Sequence, residues 1–296
     1  MDKTREIMQK VRRIEMQARR LSTATFVGQY RSGFRGRGLD FDDFREYTPG
    51  DEPRFIDWKV TARTGTPYVR KFHEERDQVL LLAVDVSGSM RYAGGKSSCT
   101  KQEYAAQVAA VLAYSAALNG DKTGLLLFGC APHFYLPPER GMQQCLRIVR
   151  EILTPREGGS DEPPADVADE VLRTQRKQTL LFMMSDYLFK PDRRAIGKLN
   201  FRHELIPLRI NDPTELELPP AGRVYVQDPE SGDRLCANLA DAALRAEHAK
   251  ALHAHFAEWQ SELTRQGIDS LQLLTTQDFM PMLRRLFARR SRRYAH

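Results

Sequence analysis

At 296 residues, 41% hydrophobic and 28% charged, the chain can bury a full core in one large or two smaller domains, with the make-up of a soluble globular protein. No segment approaches the roughly 18 apolar residues of a membrane span, and the charged, amphipathic start from Met1 to Arg20 lacks an apolar signal core, so a cytoplasmic location is expected. The net charge of +6 gathers at the two ends, in a run from Lys3 to Arg37 and another from Arg284 to Arg293; these are read as solvated faces, with nucleic acid or an acidic protein surface as the other reading.

Residues 3 to 22 are predicted helical, because Ile7, Val11, Ile14, Ala18 and Leu21 recur at spacings of four and three and make one apolar stripe. The stripe is expected to pack on the domain, a partner helix being the alternative. From 28 to 77 the character changes. Gly33, Gly36 and Gly38 punctuate a basic loop, and Pro49-Gly50-Asp51 and Arg63-Thr64-Gly65 read as turns. Short alternating pieces between them, Phe55-Ile56-Asp57-Trp58 and Tyr68-Val69-Arg70-Lys71-Phe72, suit small strands. Residues 1–77 therefore read as a helix with a β-rich elaboration, and 78–296 as the main domain.

Beyond 78, strands and helices alternate. Strands are predicted at 79–84, 123–128, 133–136, 179–184, 204–210 and 269–274, and helices at 101–119, 141–154, 164–176, 192–199, 241–266 and 278–290. A hairpin at about 223–237 turns at Asp228 to Gly232. Asn119-Gly120 closes the first of these helices, Gly being favoured at helix ends. The pattern is that of an α/β fold with a mostly parallel sheet flanked by helices. Cys99, Cys130, Cys145 and Cys236 are scattered, with no Cys-x-x-Cys pair, and read as ordinary small residues in a reducing compartment.

The stretch Val79 to Val84 is unbroken apolar, as suits a strand buried on both faces. Directly after it come Asp85, Ser87 and Ser89, one carboxylate and two hydroxyls at alternating positions, with Gly88 loosening the turn. Oxygen-only ligands beyond the carboxyl end of a strand suit a hard cation, Mg²⁺ before Zn²⁺. A strand ending in an Asx or Ser turn is the plainer reading of that stretch alone. Direction adds to it. If the 79–84 strand runs upward, uncrossed and right-handed connections bring Ser160, in the loop after helix 141–154, and Asp186, after strand 179–184, to the same upper edge.

Asp85-Val86-Ser87-Gly88-Ser89 resembles the Asp-x-Ser-x-Ser signature of von Willebrand factor A domains and their metal-ion-dependent adhesion site. Gly158-Gly159-Ser160-Asp161 and Ser185-Asp186 are similar to the second and third motifs of that site. The block from Gly36 to Met90, with Phe44-Arg45-Glu46-Tyr47-Thr48-Pro49-Gly50-Asp51, Ile56-Asp57-Trp58 and Ala62-Arg63-Thr64-Gly65, resembles a bacterial branch, domain-of-unknown-function family 58. The resemblance implies a von Willebrand factor A-like, Rossmann-like sheet and a Mg²⁺ or other hard divalent cation held by Ser87, Ser89 and Ser160, with Asp85 and Asp186 acting directly or through water. It further implies a non-enzymatic protein-interaction module, in which a partner protein supplies a carboxylate to the metal, and a MoxR-type AAA+ ATPase as that partner. Two departures stand out: Ser160 replaces the usual Thr, and Tyr187 the Gly that usually follows the third motif. Neither removes a ligand oxygen.

The alternative from another class is a metal-dependent hydrolase acting on phosphorylated or nucleic-acid substrates; Asp161 and Glu162 would be its candidate bases, though they read first as exposed or capping residues. Ser87 is no nucleophile elbow, since Val86 stands where Gly is needed. His248, His253 and His255 lack the spacing of a zinc motif and read as surface histidines, Gly33, Gly36 and Gly38 make no phosphate loop, and Trp58 and Trp259 read as packing residues.

Overall fold

The run Val79–Asp85 forms the strand β3, at the middle of a six-stranded sheet, and six of its seven residues are buried. The computed structural model describes residues 2–34, 39–49, 51, 56–74, 78–156, 165–229 and 232–294. These divide into two compact units, one of residues 1–34 with 79–296 and the other of residues 35–78.

In chain order the larger unit holds α1 (Asp2–Leu21), α2 (Ala24–Gly33), β3, α4 (Lys101–Leu118), β4 (Lys122–Phe128), β5 (Phe134–Glu139), α5 (Met142–Leu153), α6 (Ala165–Thr174) and β6 (Leu180–Ser185). It continues with α7 (Arg193–Arg202), β7 (Glu204–Asn211), the one-turn α8 (Pro213–Leu216), the hairpin β8 (Arg223–Gln227) and β9 (Arg234–Asn238), α9 (Ala242–Arg265), β10 (Leu271–Leu274) and α10 (Met280–Tyr294). The sheet order is β10-β7-β6-β3-β4-β5, parallel throughout except for β5, which folds back beside β4 after a short turn. Alternate residues of each strand feed two cores. Leu80, Leu82 and Val84 face α1, α2, α4, α5 and α10, while Leu81 and Ala83 face α6, α7 and α9. Burial on both faces is what the unbroken apolar strands require.

Beyond residue 78 the expected elements are present, with ends displaced by a residue or a few. The expected first boundary moves: α1 and α2 fold with the main sheet, not with the elaboration. The α1 stripe (Val11, Ile14, Ala18) joins the core that also holds α4, so α4 is enclosed on almost every side. Gly33, read as part of a basic loop, ends α2; Thr23 caps that helix, and Phe26, Tyr30 and Phe34 close around Phe287 of α10. Aromatic burial at helical spacing outweighs the glycines there.

The smaller unit pairs β1 (Leu39–Glu46) with β2 (Tyr68–Glu74), antiparallel. Between them Asp57 accepts from the amides of Lys59 and Val60 and starts α3 (Trp58–Thr64). The strand expected at 55–58 is thus reduced to one bridge, Ile56 to Val69, because an Asp side chain satisfies helix-start amides better than a strand would. Trp58, expected to pack, is 69% exposed. Gly36, Gly38, Gly50 and Phe55 lie outside the described residues.

Candidate metal centre

The next strand in sequence after β3 pairs with it on one side, and β6 pairs with it on the other. The carboxyl ends of β3 and β6 therefore flank the point where the strand order reverses, the usual crevice for a ligand in such sheets. Asp85 ends β3, Ser185 ends β6 and Asp186 follows it; Asp85 is 4% exposed and Asp186 2%.

Hydrogen bonds knit the edge together. Ser185 Oγ donates to Asp85 Oδ2 at 2.6 Å, and the Ser87 amide donates to Asp85 Oδ1 at 2.9 Å. Ser87 Oγ and Ser89 Oγ lie 3.1 Å apart, and Ser89 Oγ donates to Asp186 Oδ2 at 2.7 Å. A single 3-10 turn over Ser89–Arg91, anchored by the fully buried Met90, presents Ser89. Gly88 has α-region angles open to any residue (φ −57°, ψ −40°), so it is not the glycine this turn depends on. Gly129, after β4, is: its φ is +72°, and a Cβ there would lie 2.6 Å from Asp85 Oδ1.

Four of the five expected site residues, Asp85, Ser87, Ser89 and Asp186, thus converge. Ser160, with Gly158, Gly159, Asp161 and Glu162, lies outside the described residues. The chain approaches that segment through Arg156, whose carbonyl accepts from Arg91 at 2.6 Å, two residues beyond Ser89.

Several residues of the site carried no sequence expectation. Lys101, the first residue of α4, is fully buried and donates to Asp186 Oδ2 at 2.8 Å and to Glu215 Oε1 at 2.6 Å. A cation at a helix N-terminus opposes the macrodipole, so two carboxylates have to hold it there. Burial works against its charge, but Asp186 and Glu215 outweigh burial and raise its pKa. With one ammonium between two acids, burial still leaves Glu215 above the ordinary carboxylate value despite the pull of Lys101. Burial, and then the charge of Asp186, likewise pushes Asp85 up. Tyr187, in place of the family's Gly, takes a left-handed φ of 56°; its amide donates to Ser185 Oγ, and its hydroxyl to the Met183 carbonyl at 2.8 Å. It therefore turns back into the sheet.

Two of the histidines are not plain surface residues. His248 Nε2 lies 2.8 Å from the Glu215 carbonyl and His255 Nε2 2.7 Å from the Tyr187 carbonyl, so α9 straps both loops of the site. The same direction rule that placed Asp186 would have placed Asp212 to Glu215 after β7, and a Lys directly after Thr100, whose side chain caps α4, was the visible oddity.

The donors fit a hard cation. The Ser87–Ser89 separation of 3.1 Å is close to the edge of an octahedron with metal–oxygen distances of about 2.1 Å, roughly 3.0 Å. Both Asp85 oxygens are already engaged by Ser185 and Ser87, which suits a carboxylate acting through water. Among the described residues no three His, Cys, Asp or Glu side chains cluster as a metal cage.

Fold and edge together define a von Willebrand factor A-like α/β domain. Residues 43–258 match the family described as protein of unknown function DUF58, and the chain belongs to that family. It is similar to uncharacterized proteins of Mycobacterium tuberculosis and Mycobacterium bovis, each 30% identical over 285 residues, covering 95% of this chain and 89% of theirs. Similar solved structures include the conserved hypothetical protein BatB of Bacteroides thetaiotaomicron (15% identity, TM-score 0.47, 73% of this chain and 99% of that one). Another is the VWA domain of SpRpn10 (12% identity, TM-score 0.39, 70% and 93%).

Proposed function

We propose that this protein is a Mg²⁺-dependent protein-interaction module that works as an adaptor to a MoxR-type AAA+ ATPase in the assembly or activation of other protein complexes. The observation that supports it most is the hydroxyl pair Ser87–Ser89, 3.1 Å apart, set between two buried carboxylates at the sheet's reversal point. Ser87 and Ser89, with Ser160, would hold the cation directly, and Asp85 and Asp186 would hold it through water. When bound, the cation supplies an electrophilic coordination position suited to a carboxylate from another protein.

The chain's own residues prepare that position. Ser185 and the Ser87 amide keep Asp85 turned inward, and Lys101 offsets part of the charge of Asp186. Less negative charge in the cage leaves more of the cation's charge for the incoming acid. Partnership with the ATPase comes from the family resemblance and from no contact in the fold.

The test is calorimetric titration of Mg²⁺ into the protein and into S87A/S89A, followed by co-purification with a MoxR-type AAA+ ATPase, with magnesium and with chelator. Magnesium binding that falls at least tenfold in the double variant, and ATPase capture that chelator abolishes, are expected. Capture indifferent to chelator and to S87A/S89A would overturn the reading. Both serines are half-buried and Ser89 donates to the buried Asp186, so the variant should lose about 1–3 kcal/mol and still melt cooperatively.

A further inference from the structure

Most charged side chains buried in this fold have a partner. Arg290, 5% exposed, pairs with Asp269 and Glu204, and Lys101 has its two acids. Arg209 differs. It lies on β7, level with Ser185 of β6 on one side and Gln272 of β10 on the other, so its side chain leaves the sheet on the Asp85–Ser185 face, under α9. The guanidinium stacks on Phe256, 3.8 Å from the ring centroid. Among the described residues it makes no hydrogen bond or ion pair, and its Nε is buried without a partner. Burial, with no acid to oppose it, pushes its pKa down to about 10.

Beside it is a cleft with about 80 Å³ of room, walled by Tyr187, Pro207, Phe256, Trp259 and Leu271, with Gln260, Ser270 and Gln272 also contributing to its lining. A guanidinium nitrogen buried without a partner is costly, and a guanidinium matches a carboxylate two-pronged. Apolar walls around one anchoring charge are the make-up of a small-ligand site. The room is that of roughly six waters, enough for one ring or a short aliphatic stem and too little for a length of polypeptide. A single positive charge matches a monoanion better than a phosphate dianion, which would ask for more donors.

We propose that the cleft between α9 and the β7–β10 edge binds a small carboxylic acid, its carboxylate on Arg209 and its apolar stem against Phe256 and Trp259. This goes beyond the metal-dependent reading and does not need the cation.

The chain has two tryptophans, and Trp58 is exposed in the other unit, so W58F leaves Trp259 in the cleft wall as the sole reporter. In that background 3-phenylpropionate, its uncharged amide, inorganic phosphate, and a short peptide ending in Phe are titrated by fluorescence, in chelator. The acid should give a saturable change that the amide does not, and R209M should weaken it at least tenfold. Without ligand, R209M should melt no lower than W58F alone, since methionine keeps the stack on Phe256 and removes a charge that nothing neutralises.

Equal response to acid and amide, an unchanged affinity in R209M, or tighter binding of phosphate would overturn the proposal. A clear drop in the melting temperature of R209M would assign Arg209 to the fold and overturn it too. Tighter binding of the peptide would move the source to a protein terminus and overturn the small-acid assignment. None of these outcomes bears on magnesium, so this proposal and the metal-dependent reading fail separately.

Discussion

Lys101 decides how much negative charge the metal edge carries. Asp85 and Asp186 are both nearly inaccessible, and only Asp186 has an ammonium against it. Removing one member of a buried pair usually costs about 3–5 kcal/mol, because the other charge is left without compensation. K101M should therefore melt well below the parent. Magnesium chloride should recover more of that loss in K101M than it adds to the parent, since a cation in the cage takes over the neutralisation of Asp186. Thermal melts of both proteins, with and without magnesium, measure this. Identical melting of the two proteins without magnesium would mean that Asp186 does not depend on the ammonium.

At the scale of elements, the edge is held by loops that dock on one another. Asp212, fully buried, begins α8 and accepts from Ser97, the Gly94 amide, Thr275 and Thr214. Burial alone would raise its pKa, but these donors keep it below the usual carboxylate range. The segment between Ser89 and α4 is thereby tied to the end of β7, and Glu215, one turn further on, reaches Lys101. Gly94 is what allows the approach: a Cβ there would lie 1.6 Å from Thr214 Oγ1 and 2.3 Å from Asp212 Oδ1. Overpacking of this kind costs about 1–3 kcal/mol. G94A should lose about that much in denaturant unfolding, while G95A, with nothing within 4 Å of its added methyl, should unfold like the parent. Equal curves for the two variants would show that the loops separate freely.

For the molecule as a whole, the C-terminal basic run is only partly a solvated face. Arg284, Arg285 and Arg292 are exposed, but Arg289, Arg290 and Arg293 converge on Asp269. On the buried face of α10, Leu283 and Phe287 are wholly buried, and Phe287 touches Phe26, Tyr30 and Phe34. Losing one buried Phe costs about 3–5 kcal/mol, against a typical total stability of 5–15. Truncation before Arg284 should thus abolish a cooperative melt, followed by circular dichroism. The triple variant R284A/R285A/R292A should melt like the full chain. A truncated chain that still melts cooperatively would show that α10 is peripheral. No helix among the described residues is long and apolar enough to cross a membrane.

Beyond residue 78 the alternation of strands and helices, the double burial of β3 and the meeting of Asp85 with Asp186 at one edge were all written in the sequence. An apolar run has one period and one place in a sheet, and connection handedness then fixes direction. The family was legible in the block around Phe44 to Gly65 for a different reason, residue identity. Tertiary structure alone decided the rest. Lys101 against Asp186, Asp212 beneath Gly94, His255 on the Tyr187 carbonyl and Arg209 left without an acid are contacts between segments far apart in the chain. Whether a charge finds its partner depends on which side chains the packed layers bring within about 3 Å, a distance that no spacing along the polypeptide encodes.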